Sequence, residues 1–129
     1  MRVLIDMNVL FFALGFPNST PVRAVERALE EHDVVLCERS LTELDRALRR
    51  KSPDDLEHAE DFLSKFRYHE LIPAVDDAIV PIRDPQDQPI LNAAIAHNVD
   101  IILSGDKDFL VLGLRRPRLL TPAQFLTNP

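Results

Sequence analysis

Six carboxylates carry the chemistry this chain offers. Asp6, Glu43, Asp84, Asp87, Asp106 and Asp108 each fall where a short apolar run ends or the next helix begins. The densest group sits in Ile102-Leu103-Ser104-Gly105-Asp106-Lys107-Asp108, where an aliphatic run breaks into two aspartates around one lysine. Asp6 is the hardest to explain by packing, because it closes the run Val3-Leu4-Ile5, and a buried unpaired carboxylate is strongly penalised by desolvation. Acids gathered in one crevice repel and raise one another's pKa values unless a cation neutralises them. A hard cation suits such a set: Mg²⁺ and Mn²⁺ take oxygen ligands and keep waters for chemistry.

Taken singly, most of these acids have a structural use. Ser40-Leu41-Thr42-Glu43 reads as a capping box, with Glu43 reaching back to the Ser40 backbone. Asp84 or Asp87 would cap a helix with Pro85 or Pro89 in its first turn, and Asp106 would cap the turn that follows it. Six acids at strand ends are more informative than any one of them. His32, His58, His69 and His97 show no metal-ligand spacing and lie in stretches expected to face water. Tyr68 and the seven phenylalanines are expected in the core. The acid-rich stretch 53–61 is expected to be a solvated helix face.

The elements that must position the acids alternate in type. Short apolar runs at 2–7, 33–38, 70–75, 99–104 and 118–121 read as strands, the first three-residue aliphatic core being typical of a strand buried on both faces. Between them, 20–32 starts with Thr20 as cap and Pro21 at the first helical position, and Val22, Val25, Ala28 and Leu29 repeat at helical spacing. Helices are likewise expected at 40–51, opened by Ser40, at 52–69, at 87–98 and at 121–126, with a short helix or turn at 108–114. This alternation predicts an α/β protein with a mainly parallel central sheet. In such sheets ligands bind at the carboxyl ends of the strands, where the strand order reverses.

The bulk numbers agree with one domain spanning 1–129. The 129 residues are 46% hydrophobic and 28% charged, with three glycines and ten scattered prolines. Cys37, the single cysteine, lies in an apolar run and reads as a buried thiol. The N-terminal stretch carries Asp6 and Asn8 where a signal peptide would need an unbroken apolar centre, and no run approaches the roughly 18 apolar residues of a membrane span. The expectation is a cytoplasmic protein with no membrane partner. A net charge of −6 speaks against nucleic-acid binding through a broad basic surface, but not against acids gathered at a metal site.

Four segments then carry a family resemblance. Val3-Leu4-Ile5-Asp6-Met7-Asn8-Val9-Leu10, the stretch 40–48, the stretch 83–100 and the stretch 102–110 together resemble PIN-domain proteins, in order and over essentially the whole chain. The group most similar is the toxin component of prokaryotic toxin–antitoxin pairs, relatives of VapC-type toxins. The resemblance implies a three-layer α/β/α sandwich and a Mg²⁺- or Mn²⁺-dependent ribonuclease. It implies catalytic and metal-binding roles for Asp6, Glu43, Asp87 and Asp106, a further metal ligand in Asp108, and supporting roles for Asn8, Ser104 and Asp84. Met7 departs from the pattern, standing where the family usually has Thr or Ser.

The implied reaction is endonucleolytic: metal-activated water attacks a phosphodiester in line, with no side-chain nucleophile. Arg46, Arg49, Arg50, Lys51, Arg83 and Lys107, with Arg115, Arg116 and Arg118 further on, are candidates to follow an RNA backbone, although each taken alone reads as a solvated charge. The resemblance also implies a cognate antitoxin protein that covers the acidic crevice. The apolar stretch 9–16 offers a surface for a homodimer. A phosphotransfer receiver lacks its adjacent acidic pair here, and a haloacid-dehalogenase-type phosphatase lacks its second aspartate because position 8 is Asn. A Rossmann unit lacks its glycine-rich loop. The rival from another class is a catalytically silent PIN-fold module that binds RNA or a protein partner.

Overall fold

A computed structural model describes residues 1–16, 18–51, 54, 57, 61, 64, 66–76 and 80–127. Its strands are β1 (Arg2–Ile5), β2 (Asp33–Cys37), β3 (Glu70–Ile72), β4 (Ile101–Leu103) and β5 (Arg118–Leu120). They form one five-stranded sheet in the order β3-β2-β1-β4-β5, with every pairing parallel. The sheet is therefore wholly parallel. The helices are α1 (Met7–Gly15), α2 (Thr20–Glu31), α3 (Glu38–Lys51), α4 (Gln88–Ala96), α5 (Lys107–Leu110) and α6 (Pro122–Thr127).

The alternation of side chains along each strand supplies a core on both faces. Val3 and Ile5 pack with Val34, Ile101, Leu103 and the buried faces of α1, α2 and α3. Leu4 points the other way, into Val35, Ile102 and α4. That is the three-layer α/β/α sandwich. Leu4 is fully buried, and truncating such a residue to Ala costs about 2–5 kcal/mol. The chain winds from β1 outward to β3, then returns across to β4 and β5, so the strand order reverses beside β1. The carboxyl ends of β1 and β4 flank this switch point, and Leu103 pairs with Ile5 there.

Several local expectations change. α1 follows β1 directly and was not anticipated, because residues 7–14 are apolar on nearly every side and give little helical periodicity. Ser19, not Thr20, caps α2, its hydroxyl accepting the Val22 N–H. α3 starts at Glu38, two residues before the expected cap, so Ser40 lies inside the first turn and its buried hydroxyl has no partner. The Ser40–Glu43 capping box does not form. The Arg39 and Ser40 N–H groups instead donate toward the buried Cys37 sulfur, while burial raises that thiol's pKa. A reciprocal box forms at α6, where Thr121 and Gln124 exchange side chain–backbone bonds at 2.9 and 3.1 Å.

The expected helix at 52–69 lies mostly outside the described residues, as does His58. Tyr68, Phe12 and Phe16 are exposed rather than core, whereas Phe66, Phe109 and Phe125 are buried. His32 is not a water-facing residue: its ring packs on Phe125 at 5.6 Å and its Nε2 is buried without a partner. Arg116 and Arg118 lie at the amino end of the sheet, where Arg116 pairs with Asp100 and Arg118 opens β5. This is the end of the sheet opposite the switch point.

Candidate active site

The switch point is built on Asp6, the first residue after β1 and only 4% exposed. It caps α1, one carboxylate oxygen accepting the Met7 N–H at 2.9 Å. The other accepts the Ser104 hydroxyl, also at 2.9 Å. Ser104 is fully buried just past β4, and its oxygen in turn accepts the Asp106 N–H at 3.0 Å. One hydroxyl thus ties the ends of the two central strands together and sets the backbone that presents Asp106. Burial pushes the Asp6 carboxyl above its ordinary pKa, against the lowering effect of the Ser104 and Met7 hydrogen bonds.

Asp106 caps α5, its side chain accepting the Asp108 N–H at 2.9 Å. Its structural use is therefore real, and it coexists with a position beside other acids. Asp87 behaves differently. It occupies the residue before α4 but has helical backbone angles and makes no side-chain cap bond. Its Oδ2 is buried with no donor. Burial and a proton shared with the Asp106 carboxyl push Asp87 up to about 8, with the charges of Asp106, Asp6 and Asp84 adding to the effect. Glu43, on the first half of α3, is also raised, by burial and then by the charge of Asp6, with Arg39 and Arg46 opposing and Asp84 adding.

Asp84 turns its own loop, accepting the Gln86 N–H at 2.9 Å, and its carbonyl accepts the Asp87 N–H at 3.0 Å. Asp84, Asp87 and Asp108 each place one carboxylate oxygen so that all three lie within 4.8 Å of one another. Asp6, Glu43 and Asp106 surround this trio through the electrostatic and hydrogen-bond links above. The structure therefore gathers every acid named from the sequence. The tightest group contains Asp84 and Asp108 rather than the four family positions alone.

The basic candidates divide. Arg83 approaches Asp108 at 3.8 Å and is otherwise exposed, and Arg46 acts on Glu43. Arg49 pairs with Asp45 on the exposed face of α3. Lys51 stands over the Phe11 ring at 5.8 Å. Arg50 and Lys107 are exposed. Asn8 is exposed on the first turn of α1 and lines a pocket adjoining Asp106.

One group went unnoticed in the sequence. Buried Asn92 donates to the Val75 carbonyl at 2.8 Å, and Gln88 donates to both Asn92 and the Val80 carbonyl while accepting the Ile82 N–H. This clamp fixes the stretch that leads into Asp84 and Asp87. Its signal was a polar pair at i and i+4 on an otherwise apolar helix.

A family model described as a PIN domain matches residues 2–108. The chain belongs to the PIN-domain family. Among solved structures, this PIN-domain protein is similar to a chain of the VapBC2 complex from Rickettsia felis, crystallised with a DNA fragment from its promoter. The TM-score is 0.71 and the identity 14%, with 94% of this chain and 98% of that chain covered. At that identity the likeness is one of fold. No curated protein matches the sequence significantly.

Proposed function

We propose that this single PIN domain is a metal-dependent endoribonuclease and the toxin of a toxin–antitoxin pair. PIN domains are generally nucleases, and no helix among the described residues is long and apolar enough to cross a membrane. The observation that carries the reading is Asp87: a carboxyl pushed up to about 8, with a buried oxygen that no protein donor satisfies, in a trio of acids within 4.8 Å. Such an arrangement works against the fold unless a cation enters it. The donor set is all oxygen, which fits Mg²⁺ or Mn²⁺.

Asp6, Glu43, Asp87, Asp106 and Asp108 would hold the ion, with Asp84 beside them. When bound, a divalent cation supplies positive charge that acidifies water and stabilises the phosphodiester transition state. The protein's own part is positional. Ser104 keeps Asp6 and Asp106 in register across the two central strands. The Gln88–Asn92 clamp keeps the Asp84–Asp87 loop against them. Arg83 and Arg46, at the rim of the acids, and Arg49, Arg50, Lys51 and Lys107 on nearby helical surfaces would meet RNA phosphates. RNA is taken as the substrate and a co-encoded antitoxin as the partner, on the family resemblance and the likeness to a toxin–antitoxin complex.

The test is cleavage of a mixed RNA pool by wild type and Asp6→Asn, each with Mg²⁺, Mn²⁺ or EDTA. Cleavage that both EDTA and the substitution abolish is the expected result. Metal-dependent cleavage surviving in Asp6→Asn overturns the assignment. Silence in every lane, with no effect of metal on melting, would leave the silent binding module instead.

A further inference from the structure

A second feature adjoins the acids on the α1 side. A pocket of ≈ 390 Å³ is lined by Asn8, Phe12, Pro21, Gly105, Asp106 and Pro122, together with Val9. Its volume is in the range of small-molecule sites, about 300–1,000 Å³. We propose that this pocket is a nucleobase subsite, which takes one unpaired base of the RNA next to the cleaved phosphate and stacks it on Phe12. The inference rests on the ribonuclease reading and adds to it where the substrate's base goes.

Three observations converge. Phe12 is 49% exposed on a helix whose neighbouring Leu10, Ala13 and Leu14 are buried. Its ring is not needed by the core. The walls suit a flat heterocycle better than a phosphate: Pro21 and Pro122 offer apolar surface and no N–H donor, and Asp106 repels an anion. The Asn8 amide supplies both a donor and an acceptor for a base edge. Finally, Gly105 and Asp106 belong both to this pocket and to the acidic loop. A base seated here is therefore adjacent to a phosphate held at the acids. A Cβ at Gly105 would meet nothing within 4 Å, so open space lies beside this shared residue.

The aromatic surface continues outward. Phe16, 56% exposed, lies 6.0 Å from Phe12 with the rings inclined by 30°. Single-stranded nucleic acids bind by this pairing of aromatic platforms for bases with cations for the backbone. Lys51, over the Phe11 ring, puts a cation beside the same strip.

The chain has no tryptophan, so Phe12→Trp installs a single fluorescent reporter while preserving a stacking face. Two fluorescein-labelled ribose oligomers of equal length are compared in Ca²⁺, one bearing bases and one abasic throughout. Wild type is expected to bind the base-bearing oligomer about 10-fold more tightly, in line with one stacked base. Phe12→Ala should lose that preference with an unchanged melting temperature. Phe12→Trp should keep it, and its fluorescence should be quenched by the base-bearing oligomer only. Equal binding of both oligomers by wild type, or no quenching in Phe12→Trp, overturns the subsite. So does quenching by a co-purifying protein but not by RNA, which would give the pocket to a protein segment. Cleavage of the base-free diester bis(p-nitrophenyl) phosphate by wild type is measured alongside. Its absence counts against the nuclease reading, while base-dependent binding still upholds the pocket.

Discussion

The two ends of one sheet treat charge in opposite ways. At the amino end, Arg2 donates to Glu70 at 2.8 Å and to the His97 carbonyl at 3.1 Å, and its N–H bonds Asp100 at 2.8 Å. Arg116 holds the other side of Asp100 at 3.2 Å. Opposite charges meet, and each makes ordinary structural bonds. At the carboxyl end, Asp6, Glu43, Asp84, Asp87, Asp106 and Asp108 face one another, with Arg83 at 3.8 Å from Asp108 and Arg39 and Arg46 acting on Glu43 without overcoming the rise in its pKa. Burial and mutual repulsion raise the pKa values of Asp6, Glu43 and Asp87. The same strands and the same residue types give stability at one end and stored repulsion at the other. The repulsion at the second end costs stability that a bound cation would offset.

Asp6→Asn should break this contrast most forcefully. Asn keeps an acceptor for the Met7 N–H and the hydrogen-bond partner of Ser104, and removes a buried charge. The metal-free protein should therefore melt no lower than wild type. Metal-dependent cleavage should fall by more than the roughly 10–100-fold typical of residues that merely support metal ligands. Calorimetric melting and initial rates on the same preparations decide it. A large loss of stability with retained cleavage would make the acidic end structural, like its opposite.

A metal titration across pH tests the repulsion directly. Asp87 has a folded pKa near 8 and an ordinary unfolded value of 3.8, so between those values the folded state carries the extra proton. Without metal, stability should decline as pH rises through that window. Metal binding displaces the proton, so Mn²⁺ affinity should rise over the same range and level off above about 8. At a hundred times its dissociation constant the ion should add about 2.7 kcal/mol to stability. Thermal melts at pH 5.5, 7 and 8.5, with and without Mn²⁺, read both slopes. A metal-free curve that climbs with pH would contradict the crowding of Asp87.

The acidic end was more legible in sequence than the paired end. Asp6 stands out because it closes an apolar run, whereas Asp87 and Asp106 read equally well as helix caps and gained their site roles from the family resemblance. Parallel pairing, with five short buried strands, followed from the same alternation. Arg2, Glu70 and Asp100 gave no such signal, since their partners are 68 and 98 residues away. Local chemistry also misled where two placements were equivalent by pattern. Ser40 and Glu43 have capping-box spacing, yet α3 begins two residues earlier because β2 runs directly into it. The box spacing at Thr121 and Gln124 formed, because a strand ends there and leaves the backbone free to turn. α1 was hidden because helical periodicity needs a polar face, and Phe11, Phe12 and Met7 fill the one it would have had.

At the paired end the expected effects are smaller. Arg2→Met removes the bonds to Glu70 and the His97 carbonyl, but Glu70 is already partly solvated at 39% exposure. Water replaces much of what is lost, so the cost should be about 1 kcal/mol, a fall of about 4 °C in melting temperature for a domain of this size. Cleavage rates should stay at the wild-type level. Chemical denaturation and a cleavage assay on one variant separate the two. A loss of cleavage without a loss of stability would mean that the amino end communicates with the acids.

Arg83→Gln should have the smallest effect on the fold and the most selective effect on binding. Its side chain is 89% exposed and only 3.8 Å from Asp108, so the pair contributes little to stability. Its position at the rim of the acids places it where an RNA phosphate would arrive, repelled by the carboxylates and needing a cation. If it serves there, affinity for single-stranded RNA should drop at every sequence alike. The slope of log affinity against log salt should shrink by about 0.7, the value for one phosphate contact on a single strand. A purely structural Arg83 would move melting and leave the slope alone. A change in which bases are preferred, with the slope intact, would place Arg83 on the base side of the site, where Phe12 now stands.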